Sequence, residues 1–204
     1  MLANKPYIIG LTGGIGCGKS EAANHLKNLG AVHVDADGIS RAMTAPGGQA
    51  LPAIREKFGD EVFSEDGTLN RAALGKIVFE SEHHLRMLEG IIHPMVQSQT
   101  LAEIQAAGVR GDKVVILDVP LLFETGMDVL CDETWVVAAS RETQINRVML
   151  RGLTAEQAQA RIDSQMTSEE RNEKATRIIN TDRTIERTQA ELSSLYQQVL
   201  KKLG

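Results

Sequence analysis

The sequence predicts an α/β fold with a mainly parallel sheet. Two observations carry that prediction. Short apolar runs of strand character alternate along the chain with longer stretches of helical period. Between the first such run and the first such helix, residues 13–20 read Gly13-Gly14-Ile15-Gly16-Cys17-Gly18-Lys19-Ser20. This is the pattern G-x-x-x-x-G-K-[ST], the phosphate-binding P-loop, in its proper strand–loop–helix setting.

The elements follow in order. Tyr7–Thr12 is a short apolar run that reads as a buried strand. After Ser20, Ala22, Ala23, Leu26 and Leu29 recur at helical spacing, and Gly30 supplies a stop. Residues 31–34 read as a second strand ending at Asp35-Ala36-Asp37, and Pro46-Gly47-Gly48 is a break. From 49 to 108 the pattern is mostly helical, with stops at Gly59, Asp66-Gly67 and Gly90 and a helix start at His93-Pro94. Residues 114–119 form the clearest buried strand, and residues 134–139 form another. The span 141–177 is helical and rich in arginine, and Ile178-Ile179 suggests a last short strand. Residues 185–203 read as an amphipathic helix with Leu192, Leu195, Tyr196, Val199 and Leu203 on one stripe.

Bulk properties narrow the function. The chain has 204 residues, enough for one domain with insertions. Its net charge of −5 offers no general basic field, so neither nucleic acid nor an anionic membrane is an expected partner. Two cysteines, Cys17 and Cys131, make no disulfide framework or zinc pattern, which fits a reducing cytoplasm. No signal-peptide apolar region is read at the N-terminus. Residues 114–123 are interrupted by Asp118 and too short to span a bilayer. A monomer is the expected state, with oligomers left open.

The P-loop has direct physics. Backbone N–H groups of Gly13, Gly14, Ile15, Gly16, Cys17 and Gly18 are expected to turn inward into an anion cradle, with the helix dipole behind them. Cys17 is expected to be a small spacer lending its N–H. Lys19 reaches the β- and γ-phosphates of ATP as a point charge, and the Ser20 hydroxyl ligates Mg²⁺. Lys19 points at ligand, so its truncation is expected to spare the fold.

Further candidates are acids and arginines. Asp118 ends an apolar run, where a carboxylate is costly without a task; supporting Mg²⁺ is one such task, and capping the next turn is the plainer alternative. Asp35, nearer the strand end than Asp37, is the candidate proton acceptor for a substrate hydroxyl, with a helix cap as the alternative. Arg141, Arg147, Arg151, Arg161 and Arg171 crowd one region. Guanidinium groups neutralise a transferring phosphoryl well, and a mobile arginine-bearing lid would exclude water. Arg147 and Arg151, one turn apart, are the favoured catalytic pair. Pairing of these arginines with glutamates on a solvated face is the alternative.

The chain resembles the dephospho-coenzyme A kinases nearly end to end. The resemblance rests on residues 9–20, on Val34-Asp35-Ala36-Asp37, on Gly67-Thr68-Leu69-Asn70-Arg71, on His93-Pro94, and on Asp118-Val119-Pro120-Leu121-Leu122-Phe123-Glu124. It implies MgATP-dependent phosphorylation of the ribose 3′-hydroxyl of dephospho-CoA. It also implies a P-loop NTPase fold with a five-stranded parallel sheet flanked by helices. The single kinase domain would have its core at about 1–48, 109–140 and 176–204, a helical substrate subdomain at about 49–108, and a lid at about 141–175. Two departures stand out. Cys17 and Glu21 replace the family's common serine and threonine, placing Glu21 among the candidate nucleotide-binding residues. Asn180-Thr181-Asp182 lacks the glycine common in the family's adenine-contacting loop.

Two other classes compete. Another small P-loop kinase, acting on a nucleotide, shikimate or gluconate, would share the loop but not residues 118–124 or the Asp35–Asp37 pair. A guanine-nucleotide switch would need an Asn-Lys-x-Asp base-reading segment, which the chain lacks.

Overall fold

The structure is a computed structural model describing residues 5–204. Residues 1–4, the start of the expected core, lie outside the described residues. The elements run β1 (Tyr7–Thr12), α1 (Lys19–Asn28), β2 (Val32–Asp35), α2 (Ala36–Met43), α3 (Leu51–Phe58), α4 (Arg71–Glu80), α5 (Glu82–Arg110), β3 (Val114–Asp118) and β4 (Glu133–Ala138). They continue with α6 (Arg141–Met149), α7 (Ala155–Asp163), α8 (Ser168–Glu173), β5 (Arg177–Asn180) and α9 (Ile185–Lys202).

The five strands form one sheet in the order β2-β3-β1-β4-β5, and every pairing is parallel. The order reverses at β1. In open parallel sheets such a switch point leaves a crevice beyond the carboxyl ends of the strands. The P-loop leaves β1 at that end.

The chain divides into two compact units, residues up to Asp35 with Ile104–Gly204, and Ala36–Glu103. In the first unit, alternate strand residues Ile9, Leu11, Val114, Ile116, Trp135, Val137 and Ile179 bury one face of the sheet. They cluster with Ala22, Ala23 and Leu26 of α1 and with Leu192, Tyr196 and Val199 of α9. The amphipathic stripe expected at the C-terminus is therefore the cover of the sheet. Trp135 is fully buried, and its indole N–H donates to Glu133 Oε2 at 2.9 Å. Glu133 also accepts from the Tyr7 hydroxyl at 3.0 Å and Arg177 Nε at 2.8 Å. A carboxylate at the start of a buried strand is thus satisfied three times over.

The second unit holds α2 to α4 and most of α5. It buries Ile39, Met43, Ile54, Phe58, Leu74 and Val78. Asn70 caps α4, accepting from the Ala73 N–H at 3.0 Å. Within 49–108 the only pairing of strand type among the described residues is the bridge between Phe63 and Leu69. Two expected boundaries are corrected. Gly90 does not stop a helix and His93-Pro94 does not start one: both lie inside α5, which runs unbroken for 29 residues. Proline removes the N–H that would bond the Gly90 carbonyl. Both Gly90 and Pro94 are exposed, so solvent satisfies that carbonyl.

Candidate active site

The P-loop is seated by close backbone approach. A methyl group on Gly13 would lie 2.5 Å from the Val137 carbonyl oxygen, and one on Gly16 2.7 Å from that of Gln144. Gly16 also has a φ of 78°, in the left-handed region. Thr12 anchors the entrance, its hydroxyl donating to the Pro120 carbonyl at 3.0 Å. One expectation is corrected here. The Cys17 N–H donates to the Gly14 carbonyl at 3.1 Å, closing a turn within the loop. The Cys17 side chain is buried in the core, and burial pushes its thiol up, as suits a spacer.

Lys19, in the first turn of α1, makes an ion pair with Asp118 Oδ1. The other oxygen, Oδ2, lies 3.1 Å from His33 Nε2. Burial alone would raise the Asp118 carboxyl. The His33 hydrogen bond and the Lys19 charge outweigh burial and hold it below the usual carboxylate range. Asp118 ends β3 and is registered against Asp35, which ends β2. Registered residues of parallel strands project to the same face, as does His33, two positions before Asp35. The structure therefore brings together Lys19, Asp118 and Asp35 at the carboxyl ends of adjacent strands. Because Asp118 is buried, Lys19 also has a structural task that the sequence did not show.

Ser20 is exposed in the first turn of α1. Glu21 turns toward α9, where Gln189 Nε2 donates to its Oε1 at 3.0 Å. Glu21 and Gln189 line a pocket of about 200 Å³ with Gly18, Arg147, Thr181 and Leu192. Asp37 pairs with Arg41 one turn on, within the second unit.

The favoured arginine pair is not brought together. Arg147 Nη1 donates to the Gly16 carbonyl at 3.2 Å and to Thr181 Oγ1 at 2.8 Å, and Nη2 donates to the Thr181 carbonyl at 2.7 Å. Thr181 Oγ1 in turn donates to the Cys17 carbonyl at 2.8 Å. Arg147 is thus a brace between the P-loop and the loop after β5, not a free lid cation. Arg151 lies in the turn after α6, exposed; its backbone N–H closes that turn on the Val148 carbonyl at 3.0 Å, and its guanidinium makes no hydrogen bond or ion pair among the described residues. The loop after β5 manages without glycine. Asn180 Oδ1 accepts from the Asp182 N–H at 2.8 Å, and the Asp182 carboxylate accepts from the Ser140 N–H at 2.9 Å. No non-glycine residue among those described has a positive φ.

The segment 155–173 reaches the P-loop through Gln165 and Arg171. Gln165 Oε1 accepts from the Ile15 N–H at 2.9 Å. Arg141 pairs with Asp163 at 2.7 Å, while Arg171 is buried. Thr154 and Thr167 head helices α7 and α8 with capping boxes. His33, Gln165 and Gln189 were missed in the sequence, and Thr181 was read only as part of the loop 180–182, without its bonds to Arg147 and Cys17. His33 alone carried a local signal, standing two residues before Asp35 on the same strand face.

The second unit has its own pocket, of about 290 Å³, whose lining includes Thr44, Leu69, Arg71, Glu89, Ile92 and His93. Arg71 is oriented there by bonds from Nη2 to Thr44 Oγ1 at 2.8 Å and to the Thr44 carbonyl at 3.3 Å. The Asn70-Arg71 and His93-Pro94 segments, separate in sequence, thus serve one cavity: Asn70 caps the helix that begins with Arg71.

The chain is similar to known proteins in sequence and in fold. The family model described as Dephospho-CoA kinase matches residues 7–187. A dephospho-CoA kinase of Leifsonia xyli subsp. xyli is 44% identical over 191 residues, covering 93% of this chain and 96% of the relative. One of Symbiobacterium thermophilum is 41% identical over 191 residues, covering 93% and 80%. Among solved structures, TT1252 from Thermus thermophilus superposes with a TM-score of 0.82 at 33% identity, covering 98% of this chain and all of that one. The dephospho-CoA kinase from Campylobacter jejuni gives 0.74 at 26% identity, covering 97% and 98%. A shikimate kinase from Acinetobacter baumannii, 18% identical with a TM-score of 0.54, covers 98% and 96% and shares the fold alone.

Proposed function

The chain belongs to the dephospho-CoA kinase family, and from that premise we propose how its residues divide the family's reaction. The enzyme is an ATP-dependent kinase that phosphorylates the ribose 3′-hydroxyl of dephospho-CoA, the last step of coenzyme A biosynthesis. The observation that carries this reading is the family match across residues 7–187, which contains an intact P-loop.

The ATP phosphates sit in the cradle of residues 13–20. Lys19 exchanges Asp118 for the β- and γ-phosphates when nucleotide arrives, so the lysine keeps an anionic partner while His33 stays bonded to Asp118. The acceptor hydroxyl oxygen then bonds to the γ-phosphorus as the bond to the β–γ bridging oxygen breaks. ADP leaves, and Asp35 takes the hydroxyl proton. The pocket beside Gly18 and Arg147 takes the adenosine end of ATP, with Glu21 and Gln189 at its wall. The pocket of the second unit, with Arg71 and His93, takes part of dephospho-CoA.

Among the described residues no cluster of three or more His, Cys, Asp or Glu forms a self-sufficient metal site. Ser20 and Asp118 nevertheless present the hard oxygen donors that Mg²⁺ prefers, and phosphate oxygens complete such a set. When bound, Mg²⁺ would neutralise charge on the β- and γ-phosphates. No helix among the described residues is long and apolar enough to cross a membrane. A cytoplasmic monomer is part of the same proposal.

A panel of acceptors tests it. With ATP and Mg²⁺, dephospho-CoA should be consumed while shikimate, gluconate and nucleoside monophosphates are not. Turnover of one of those acceptors, with none of dephospho-CoA, would overturn the reading.

A further inference from the structure

Arg171 is 3% exposed, yet among the described residues it makes no ion pair with any carboxylate. Its Nη2 donates to the Met166 carbonyl at 2.9 Å, and its Nε has no hydrogen-bond partner at all. A guanidinium stays charged in proteins, so its burial without an anion is costly. Arg141, the other cation of the same wall, is already neutralised by Asp163.

The surroundings of Arg171 show where an anion would fit. It lines a cavity of about 330 Å³ together with Gly14, Ser140, Gln144, Gln165 and Thr167. Its Nη1 lies 3.4 Å from where a methyl on Gly14 would sit, so the guanidinium abuts the P-loop. The fold holds it there. Gln165 fastens the preceding segment to the Ile15 N–H, and the Thr167–Glu170 capping box sets the first turn of α8. The buried, unpaired cation faces the loop that receives nucleotide phosphates.

We propose that Arg171 is a catalytic residue whose Nε–H and Nη1–H bond the terminal phosphoryl group of ATP during transfer. Gln165 is the positioning residue that keeps it against the loop. The inference rests on the P-loop reading given above. It replaces Arg147 and Arg151 as the source of the guanidinium at the reacting group. Negative charge spreads over the phosphoryl oxygens in transfer, and a preorganised, buried guanidinium stabilises it strongly.

The test compares wild type, Arg171→Gln and Arg171→Lys. It reads kcat, the KM for each substrate, and the Kd of ATP, ADP and dephospho-CoA by direct titration. The glutamine variant should lose roughly 100-fold or more in kcat. Its ADP and dephospho-CoA affinities should stay near wild type, while the preference for ATP over ADP disappears. The lysine variant should recover part of both, since it restores charge without the planar fork. Equal weakening of ATP and ADP, weakening of dephospho-CoA alone, or retained kcat would overturn the proposal. Should both variants fail to fold, wild type co-crystallised with ADP and tetrafluoroaluminate decides. Arg171 should hydrogen-bond the fluoroaluminate, and a guanidinium turned away from it refutes the proposal. Wild type that binds neither nucleotide would instead remove the P-loop reading, and the proposal with it.

Discussion

Lys19 and Asp118 are paired across the mouth of the P-loop, with His33 holding the second oxygen of the same carboxylate. The lysine thus already has an anion when no phosphate is bound. Asp118 keeps its charge despite burial because two donors face it. The pair ties phosphate binding to a buried residue of the sheet.

Lys19→Ala should therefore do two things. Turnover should fall by about 100- to 1,000-fold, since the β- and γ-phosphates lose a fixed counter-charge. Stability should also fall, by on the order of 1–3 kcal/mol, because Asp118 keeps only His33. Steady-state kinetics and a chemical denaturation curve check both. Near-normal turnover would remove Lys19 from the phosphate site.

The two registered carboxylates should separate by role. Asp35→Asn should bind ATP normally and lose phosphoryl transfer by about 100-fold or more, because the proton acceptor is gone. Asp118→Asn should instead raise the Mg²⁺ concentration needed for half-maximal activity. A Mg²⁺ titration of each variant distinguishes them. If Asp35→Asn transfers phosphate at the wild-type rate, Asp35 only ends its strand.

Arg147→Ala should weaken ATP and ADP together, by about 10-fold each, because it opens the brace between the Gly16 and Thr181 carbonyls. Arg151→Ala should leave both affinities and kcat unchanged. Isothermal titration with each nucleotide reads this directly. A selective loss of ATP in Arg147→Ala would return that residue to the transferring phosphoryl.

Much of the fold was legible in the sequence. Residues 7–12, 114–119 and 134–139 announced buried parallel strands by continuous apolar character, and the C-terminal helix by its stripe. The helical boundaries at Gly90 and His93-Pro94 were not legible, because an exposed proline is tolerated where solvent can take the freed carbonyl. The P-loop could be read because its chemistry is local and ordered along the chain. Arg147, Arg171 and Gln165 were harder to place. An arginine at helical spacing looks alike whether it faces solvent or a backbone carbonyl far away in sequence. What distinguishes them is burial and partner, which only the fold supplies. His33 was overlooked because its partner, Asp118, is 85 residues away.

Glu133 gives a pH prediction at the other end of the sheet. Burial would raise its carboxyl, but bonds from Arg177, Trp135 and Tyr7 together hold it below the usual range. Its folded pKa is lower than its unfolded one, near 4.3. The stabilisation is therefore complete above that value and is lost as pH falls through the folded pKa. Glu133→Gln should flatten the acid side of the stability profile below about pH 4.3 and cost about 1–3 kcal/mol at neutral pH. Turnover in the folded variant should not change. Denaturation midpoints between neutral pH and the acid limit check the sign. An unaltered acid limb would show that the network does not hold the charge.

The most direct measurement is the product itself. Wild type is incubated with ATP, Mg²⁺ and dephospho-CoA, and the acceptor is followed by mass spectrometry and phosphorus NMR. The expected result is one phosphoryl group added per acceptor, located on the ribose 3′-oxygen, with one ADP formed per product and none of this in Lys19→Ala. ADP release without a phosphorylated acceptor, or phosphate at another position, would contradict the assignment.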